Sequence, residues 1–432
     1  MNNTELKNRD LNVLWHPCTQ MKDHETLEMI PIKKGEGVYL EDFDGNRYID
    51  AISSWWVNLF GHTNSYISEK VKEQLDSLEH VILAGFTHEQ VVKLSERLVK
   101  LTPSQLQKCF YADNGSSAVE VALKMSYHAH LNDGKEKSLF VSLTNSYHGE
   151  TIGALSVGDV ELYKETYKPL LIHCVQTAVP KDMTPEAALE AAEMFEDLCK
   201  VRGDEISALI LEPLIQGAGY MHMYHSNFLL HVREICTRYN IHLIADEVMV
   251  GFGRTGKLFA CEHAAISPDF LVLSKGLTGG YLPLSVVLTT NEIYAKFYCD
   301  YNENKAFLHS HSYTGNALAC AAANATLDLF EDGNVIEENA ILAEYMHKHL
   351  KRFEHLHNVK EVRQIGMVCA IELQGYAPEK RIGLEVYKYA LAHGVLLRPL
   401  GHIIYFMPPY IITLEEIDIM MDVAYDAIKL LP

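Results

Sequence analysis

An aspartate and a lysine in the middle of the chain each end a short apolar stretch, and together they could support covalent chemistry. Asp246 lies at the end of the stretch His242–Glu247, and Lys275 lies 29 residues later at the end of Phe270–Lys275. A carboxylate in that position needs a cationic partner or strong hydrogen bonds. A lysine amine can form a Schiff base with a carbonyl carbon. The alternative for Lys275 is a surface lysine whose ammonium extends into solvent.

Two polar loops follow other apolar stretches and could bind a cofactor. Asp113–Ser117 precedes a predicted helix over Ala118–Tyr127, and its small residues would let an anion approach the helix N-terminus. The alternative is an ordinary capping turn. In the second loop, Asn145–Glu150, the ring of Tyr147 could stack on a planar cofactor or pack within the loop.

A mostly parallel sheet would bring these loops together. Between about residues 108 and 287, short apolar stretches alternate with longer amphipathic ones, which is typical of a parallel sheet with crossover helices. Such sheets bind ligands beyond the carboxyl ends of their strands. A lysine, a carboxylate and a phosphate cradle at these ends are what pyridoxal phosphate (PLP) requires. The predicted strands are Cys109–Asp113, Leu139–Leu143, Ala208–Pro213, His242–Glu247 and Phe270–Lys275.

The pattern changes near residue 317 and predicts a division of the chain. We expect residues 61–316 to form a large cofactor-binding domain and residues 317–432 a smaller α+β domain. Residues 1–60 are predicted to form an arm that packs with the small domain. The strands predicted in the C-terminal part are Met367–Leu373, Val395–Pro399 and Ile403–Pro409.

Composition disfavours several classes of function. The chain has 37 Lys and Arg against 57 Asp and Glu, a formal charge of −20, which disfavours binding to nucleic acid or anionic membrane surfaces. No apolar run reaches the ~18 residues of a membrane-spanning helix, and the polar start lacks a signal-peptide pattern, so a cytoplasmic protein is predicted. The nine cysteines include no CxxC pair and are interpreted as reduced thiols. Histidines two apart on a helix face different directions, so no metal site is predicted.

The sequence resembles the class III aminotransferases of PLP fold type I, and the resemblance extends over nearly the whole chain. Its most specific part is residues 243–276, LIADEVMVGFGRTGKLFACEHAAISPDFLVLSKG. The resemblance implies an α/β fold, with a mostly parallel sheet of the seven-stranded type in the large domain and a smaller α+β domain. It also implies PLP as cofactor and a homodimer.

For the cofactor, the resemblance implies a role for five residues. Lys275 forms the Schiff base and later moves the proton, and Asp246 pairs with the pyridinium nitrogen. Gly115 and Ser116 bind the phosphate, and Tyr147 stacks on the ring.

For the substrates, the resemblance places Trp55 in the pocket, beside Tyr147 and Lys275. Arg398 holds the carboxylate of a keto acid, and Arg254 is a second anion partner. Cys18 lies where the family pattern has a tyrosine that touches the substrate. A further segment, Gly-Pro-Thr in the family pattern, reaches the cofactor phosphate and substrate of the neighbouring subunit; its residues here are Ser310, His311 and Ser312.

Two motifs, LWHPCTQM and SSWWVNLFG, narrow the function expected within the family. They imply the aminotransferase step of biotin biosynthesis, a ping-pong transfer of an amino group from S-adenosylmethionine to 8-amino-7-oxononanoate. The alternatives are lysine as donor, or another class III ω-aminotransferase acting on ornithine, 4-aminobutyrate or a diamine.

Other classes of protein are weaker alternatives. An aminomutase or racemase would use the same Lys275, whereas a non-catalytic binding protein would not need both Lys275 and Asp246. A nucleotide-binding dehydrogenase is disfavoured because no GxGxxG follows a first strand.

Overall fold

The computed structural model describes residues 1–432, and alternating strands and helices run through most of the chain. The strands are β1 Ile32–Glu36, β2 Tyr39–Asp42, β3 Arg47–Asp50, β4 Leu106–Ala112, β5 Leu139–Leu143, β6 Cys174–Thr177, β7 Ile206–Leu211, β8 Ile215–Gln216, β9 His222–Met223, β10 His242–Asp246, β11 Phe270–Leu273, β12 Ser285–Thr290, β13 Val359–Ile365, β14 Val368–Leu373, β15 Val395–Leu396 and β16 Ile403–Phe406. The α-helices are α1 Asn3–Leu11, α2 Ser53–Trp56, α3 Ser65–Leu75, α4 Glu89–Leu101, α5 Gly115–Asn132, α6 Ile152–Val157, α7 Glu161–Lys164, α8 Pro185–Arg202, α9 Asn227–Arg238, α10 Asn291–Ala295, α11 Ala317–Asp332, α12 Val335–Leu350, α13 Ile382–Ala392 and α14 Leu414–Lys429. Short 3-10 helices lie at Met21–Glu25, Glu165–Leu170, Ala260–Ala264, Lys275–Thr278, Tyr301–Glu303, Lys351–His355 and Pro378–Lys380.

The central element is a seven-stranded sheet in the order β4-β12-β11-β10-β7-β5-β6. The pairs from β11 through β10, β7 and β5 to β6 are parallel, whereas β12 is antiparallel to both of its neighbours. The predicted mostly parallel α/β sheet is therefore confirmed. All five predicted strands exist, but β6 and β12 were not among them.

Both faces of this sheet are buried, which explains why its strands lack polar alternation. Leu243 and Ala245 of β10 pack in one apolar cluster, and Ile244 between them packs in a second cluster that includes α5. Successive side chains of a strand point to opposite faces, so a strand covered by helices on both sides needs apolar residues throughout.

The N-terminal and C-terminal parts of the chain share a smaller sheet, ordered β1-β2-β3-β15. In it β3 pairs in parallel with β15, with Ile49 opposite Val395. The strand predicted at Val395–Pro399 therefore ends earlier than expected and joins the N-terminal strands. A separate antiparallel sheet contains β13, β14 and β16. The domain boundaries after residues 60 and 316 stay predictions.

No helix in the chain combines the length and the apolar character needed to cross a membrane.

Candidate active site

A cavity of about 480 Å³ opens at the carboxyl ends of the central strands. It brings together residues that are far apart in sequence, because β10, β11 and the strand before α5 all end at this edge of the sheet. Among the residues lining it are Gly115, Ser116, Tyr147, Asp246 and Lys275.

Lys275 directly follows β11 and directs its amine into the cavity. Its Nζ lies 4.8 Å from the centre of the Trp56 ring, and its backbone has φ of +45°. Burial lowers the pKa of Lys275 to about 8, and the charges of Asp246 and Glu212 act against this shift. A lysine with a pKa near neutrality has a neutral fraction that can act as nucleophile or base.

Asp246, at the end of β10, is buried and hydrogen-bonded to a histidine that the sequence analysis did not single out. Its Oδ2 lies 2.8 Å from Nδ1 of His148, and its Oδ1 accepts from the backbone N–H of Val248 at 3.1 Å. Nε2 of His148 is buried and has no hydrogen-bond partner. The hydrogen bond between His148 and Asp246 fixes the orientation of the carboxylate.

Glu212 is a second buried carboxyl group on the cavity wall. It accepts hydrogen bonds from the backbone N–H groups of Tyr147 and Gly217, both at 2.9 Å. Burial raises the pKa of Glu212 to about 7. In the sequence its position after an apolar strand carried no specific signal, because such carboxylates are commonly solvated.

The N-terminus of α5 faces the cavity. Asn114 caps the helix by accepting from Ser117 N at 2.9 Å, which leaves the N–H groups of Gly115 and Ser116 without helical partners. A Cβ on Gly115 would lie 2.9 Å from Val248, and one on Gly149 would lie 2.4 Å from the Ser116 hydroxyl. The small residues thus keep this helix end open to an anion.

A left-handed turn places Trp56 on the cavity wall. Four consecutive residues, Ser53–Trp56, have φ between +47° and +74°, a conformation that costs about 1–2 kcal/mol per non-glycine residue. Buried hydrogen bonds hold the turn: Ser53 Oγ donates to Met407 O at 2.7 Å, and Trp56 Nε1 donates to Tyr405 Oη at 3.1 Å. The turn leaves Trp55 38 % exposed.

Arg398 and Cys18 lie beside Trp55. The guanidinium of Arg398 stacks 4.4 Å above the Trp55 ring, and its Nη2 donates to the backbone oxygen of Cys18 at 3.3 Å. The Cys18 sulfur lies 3.8 Å from the hydroxyl of Tyr163. The structure therefore brings together three predicted substrate residues, Cys18, Trp55 and Arg398, next to the cavity but outside its lining.

Arg254 does not join them. It is fully buried, and its guanidinium donates to the backbone oxygens of Pro408 at 2.9 Å and Asn58 at 3.1 Å. Its guanidinium carbon also lies 4.9 Å from the centre of the Tyr410 ring. Nη1 and Nη2 of Arg254 thus link segments of the chain, its buried Nε has no partner within the chain, and the residue does not line the cavity.

The segment predicted to reach a neighbouring subunit also lies outside the cavity of its own chain. Ser310 and Ser312 are exposed, and His311 Nε2 lies 3.1 Å from Oδ1 of Asp113, which lines the cavity. The segment is thus next to the site without contributing to its wall.

The residues of the cavity fit pyridoxal phosphate. The open N-terminus of α5 suits a phosphate, the buried Asp246 suits a protonated ring nitrogen, and the Lys275 amine suits a carbonyl carbon.

Comparisons with known proteins agree with this geometry. The family model "Aminotransferase class-III" matches residues 20–428. The chain is 56% identical to adenosylmethionine-8-amino-7-oxononanoate aminotransferase of Helicobacter pylori, over 94% of both proteins, and 42% identical to the enzyme of that name from Geobacter sulfurreducens, over 96% of both.

Solved structures show the same fold. The crystal structure of adenosylmethionine-8-amino-7-oxononanoate aminotransferase from Methanocaldococcus jannaschii superimposes with a TM-score of 0.95 at 39% identity, covering 99% of both chains. An amine transaminase from an uncultivated Pseudomonas species, solved in its PLP-bound form, gives a TM-score of 0.91 at 30% identity over 96% of this chain and 98% of its own. The chain therefore belongs to the class III aminotransferases, PLP-dependent enzymes of fold type I.

Proposed function

We propose that this enzyme transfers an amino group from S-adenosylmethionine to the ketone of 8-amino-7-oxononanoate. The proposal rests on the names of the relatives and on one observation at the site. Arg398 is stacked on Trp55, whose neighbour in sequence, Trp56, lines the cavity that contains Lys275 and Asp246. A guanidinium beside an aromatic ring suits a substrate with a carboxylate at the end of an aliphatic chain.

The cofactor would be held by residues at the end of the central sheet. Lys275 would bind it covalently, Asp246 would pair with its ring nitrogen, and Gly115 and Ser116 would bind its phosphate. Tyr147 would flank the ring. PLP supplies an electron sink that stabilises the negative charge left when a proton leaves the carbon bearing the amine.

The chain's own groups would orient the substrates and move the proton. Because the pKa of Lys275 is lowered, its amine can accept a proton and release it at a neighbouring carbon. His148 holds the Asp246 carboxylate in place through the 2.8 Å hydrogen bond. Trp55 would pack against the aliphatic chain of the keto acid, and Arg398 would bind its carboxylate.

A direct assay with competing donors tests the proposed reaction. The purified enzyme with PLP is incubated with 8-amino-7-oxononanoate and one of S-adenosylmethionine, lysine, ornithine or 4-aminobutyrate. We expect the diamine product, detected by mass spectrometry, with S-adenosylmethionine. If the diamine formed only with lysine, lysine and not S-adenosylmethionine would be the amino donor. Absence of the diamine with every donor would contradict the proposal.

The active assembly is proposed to be a homodimer. Four exposed apolar side chains, Ile82, Phe86, Leu308 and Tyr313, lie on two adjoining loops. The rings of His80 and Tyr313, one from each loop, lie 5.2 Å apart. Exposed apolar patches commonly mark association surfaces. Ser310, His311 and Ser312 lie between these residues and would reach the partner's cofactor and substrate.

A cytoplasmic location is part of the proposal. All nine cysteines are free. Free thiols are typical of a reducing compartment.

A further inference from the structure

Tyr147, which lines the cavity, contacts a second tyrosine, Tyr163, outside the lining. The rings of Tyr147 and Tyr163 meet edge to face with centroids 5.6 Å apart. Hydrogen bonds within the segment that joins them hold it in place, since Asn145 N donates to Asp159 Oδ2 at 3.0 Å and Lys164 Nζ donates to Gly158 O at 2.6 Å. Tyr163, on α7, is therefore held in place next to a residue of the cavity wall.

The two hydroxyl groups differ in their hydrogen bonding. The Tyr147 hydroxyl donates to Glu150 Oε1 at 3.2 Å. The Tyr163 hydroxyl has only the Cys18 sulfur, at 3.8 Å, as a partner within the chain. Sulfur is a weak hydrogen-bond donor and acceptor. Tyr163 therefore offers a polar hydrogen that a stronger acceptor can take over.

Arg398 also contacts Cys18, through the backbone of that residue. Its Nη2 donates to the Cys18 backbone oxygen, while Tyr163 meets the Cys18 side chain. The positive charge of Arg398 opposes the rise that burial and the Cys18 charge cause in the pKa of Tyr163. A carboxylate bound by Arg398 over Cys18 would lie within reach of the Tyr163 hydroxyl.

We propose that Tyr163 determines specificity for the keto acid by donating a hydrogen bond to its terminal carboxylate, beside Arg398. This inference rests on the proposed function. It assigns to Tyr163 a contact with substrate and not a part in the chemical step. The hydroxyl should therefore affect KM for the acceptor more than kcat.

The experiment uses the PLP-loaded enzyme and the variant Tyr163→Phe, which keeps the ring and removes the hydroxyl. We expect KM for 8-amino-7-oxononanoate to rise about tenfold with kcat nearly unchanged, the size of a hydrogen bond to a charged group. With the methyl ester of the same acceptor, variant and wild type should have equal kcat/KM. Tyr167→Phe, on the adjoining 3-10 helix, is the matched control and should match wild type with both acceptors.

Two outcomes would overturn the inference while the wild type still forms the diamine. One is an unchanged KM in Tyr163→Phe, and the other is an equal loss with acid and ester. Failure of the proposed function is distinguishable, since then wild type forms no diamine.

Discussion

Lys275 combines a strained backbone, an aromatic neighbour and a lowered pKa, a combination that surface lysines lack. We predict that Lys275→Ala lowers turnover by at least 10³-fold, because it removes both the covalent attachment and the proton carrier. Borohydride reduction of the wild type, followed by peptide mass mapping, should place the cofactor on Lys275. Lys168→Ala, at an exposed position, is the control and should keep both the wild-type turnover and the cofactor on Lys275. Cofactor found on another lysine would contradict the assignment.

A second prediction about a single residue concerns Asp246. Replacing it by asparagine keeps the shape and the contact with His148 but removes the charge that would pair with the ring nitrogen. We predict that Asp246→Asn lowers kcat by on the order of 10²-fold or more, the size of a lost electrostatic contribution to a transition state. Steady-state kinetics at saturating substrates measure it.

Asp269 offers a matched control for that variant. It pairs with Arg233 at 2.7 Å, accepts from the backbone N–H of Leu243 at 2.7 Å, and does not line the cavity. Asp269→Asn should lower the free energy of unfolding and leave kcat of the folded enzyme near wild type. If both variants lost kcat equally, the special role of Asp246 would be refuted.

The sequence could predict residues whose position follows from strand ends, and it failed where tertiary contacts decide. Asp246 and Lys275 were found because apolar stretches place them at one edge of a sheet. The resemblance implied an anion partner at Arg254, which stays a prediction, and no local pattern showed that its Nη1 and Nη2 donate to backbone carbonyls of distant segments. The partners His148 and Tyr163 could not be identified, because nothing local shows that one lies against Asp246 and the other against Cys18.

Among the elements, α5 carries a prediction that separates stability from binding. Its cap, Asn114, accepts from Ser117 N, and Thr184 caps α8 in the same way by accepting from Ala187 N at 3.2 Å. Asn114→Ala and Thr184→Ala should each reduce stability by about 1 kcal/mol, as measured by unfolding of the apoenzyme. Only Asn114→Ala should also weaken PLP binding, since of these two helices only α5 has its N-terminus at the cavity.

Titration of both apoenzymes with PLP tests this difference. Loss of the cap hydrogen bond would destabilise the first turn of α5, where Gly115 and Ser116 would bind the phosphate. If the two variants bound PLP equally well, the N-terminus of α5 would not be the phosphate site.

Two elements could not be predicted from local sequence, β12 and the turn Ser53–Trp56, because contacts with distant segments decide their conformation. β12 is antiparallel to β11 and β4 within a sheet that otherwise continues in parallel, and its apolar stretch carries no mark of direction. The turn Ser53–Trp56 contains no glycine, so its left-handed conformation has no local signal. It is maintained by buried hydrogen bonds to the segment around β16.

At the scale of the whole molecule, a chain with a formal charge of −20 must bind an anionic cofactor and the carboxylate end of a substrate. It can do so because positive potential is local, at the N-terminus of α5 and at Arg398. Long-range repulsion from the chain's net negative charge would act against both anionic groups, and salt would screen that repulsion. Binding must therefore come from short-range hydrogen bonds within the cavity.

The proposed dimer gives the last prediction. Leu308 is 88 % exposed in the single chain and lies two residues before Ser310, so a partner that buries this loop would also bring Ser312 to its site. Burying a leucine contributes about 1.5–3 kcal/mol, and a carboxylate there would have to be desolvated without a partner.

We therefore expect Leu308→Asp to shift the protein towards monomers in light scattering and to lower activity and PLP retention in parallel as the enzyme is diluted. Val201→Asp, at a position 82 % exposed on α8, introduces the same charge away from this loop and should leave assembly, activity and PLP retention unchanged. Fully active Leu308→Asp monomers would show that each chain forms a complete site and that Ser310, His311 and Ser312 have no role in a neighbouring subunit.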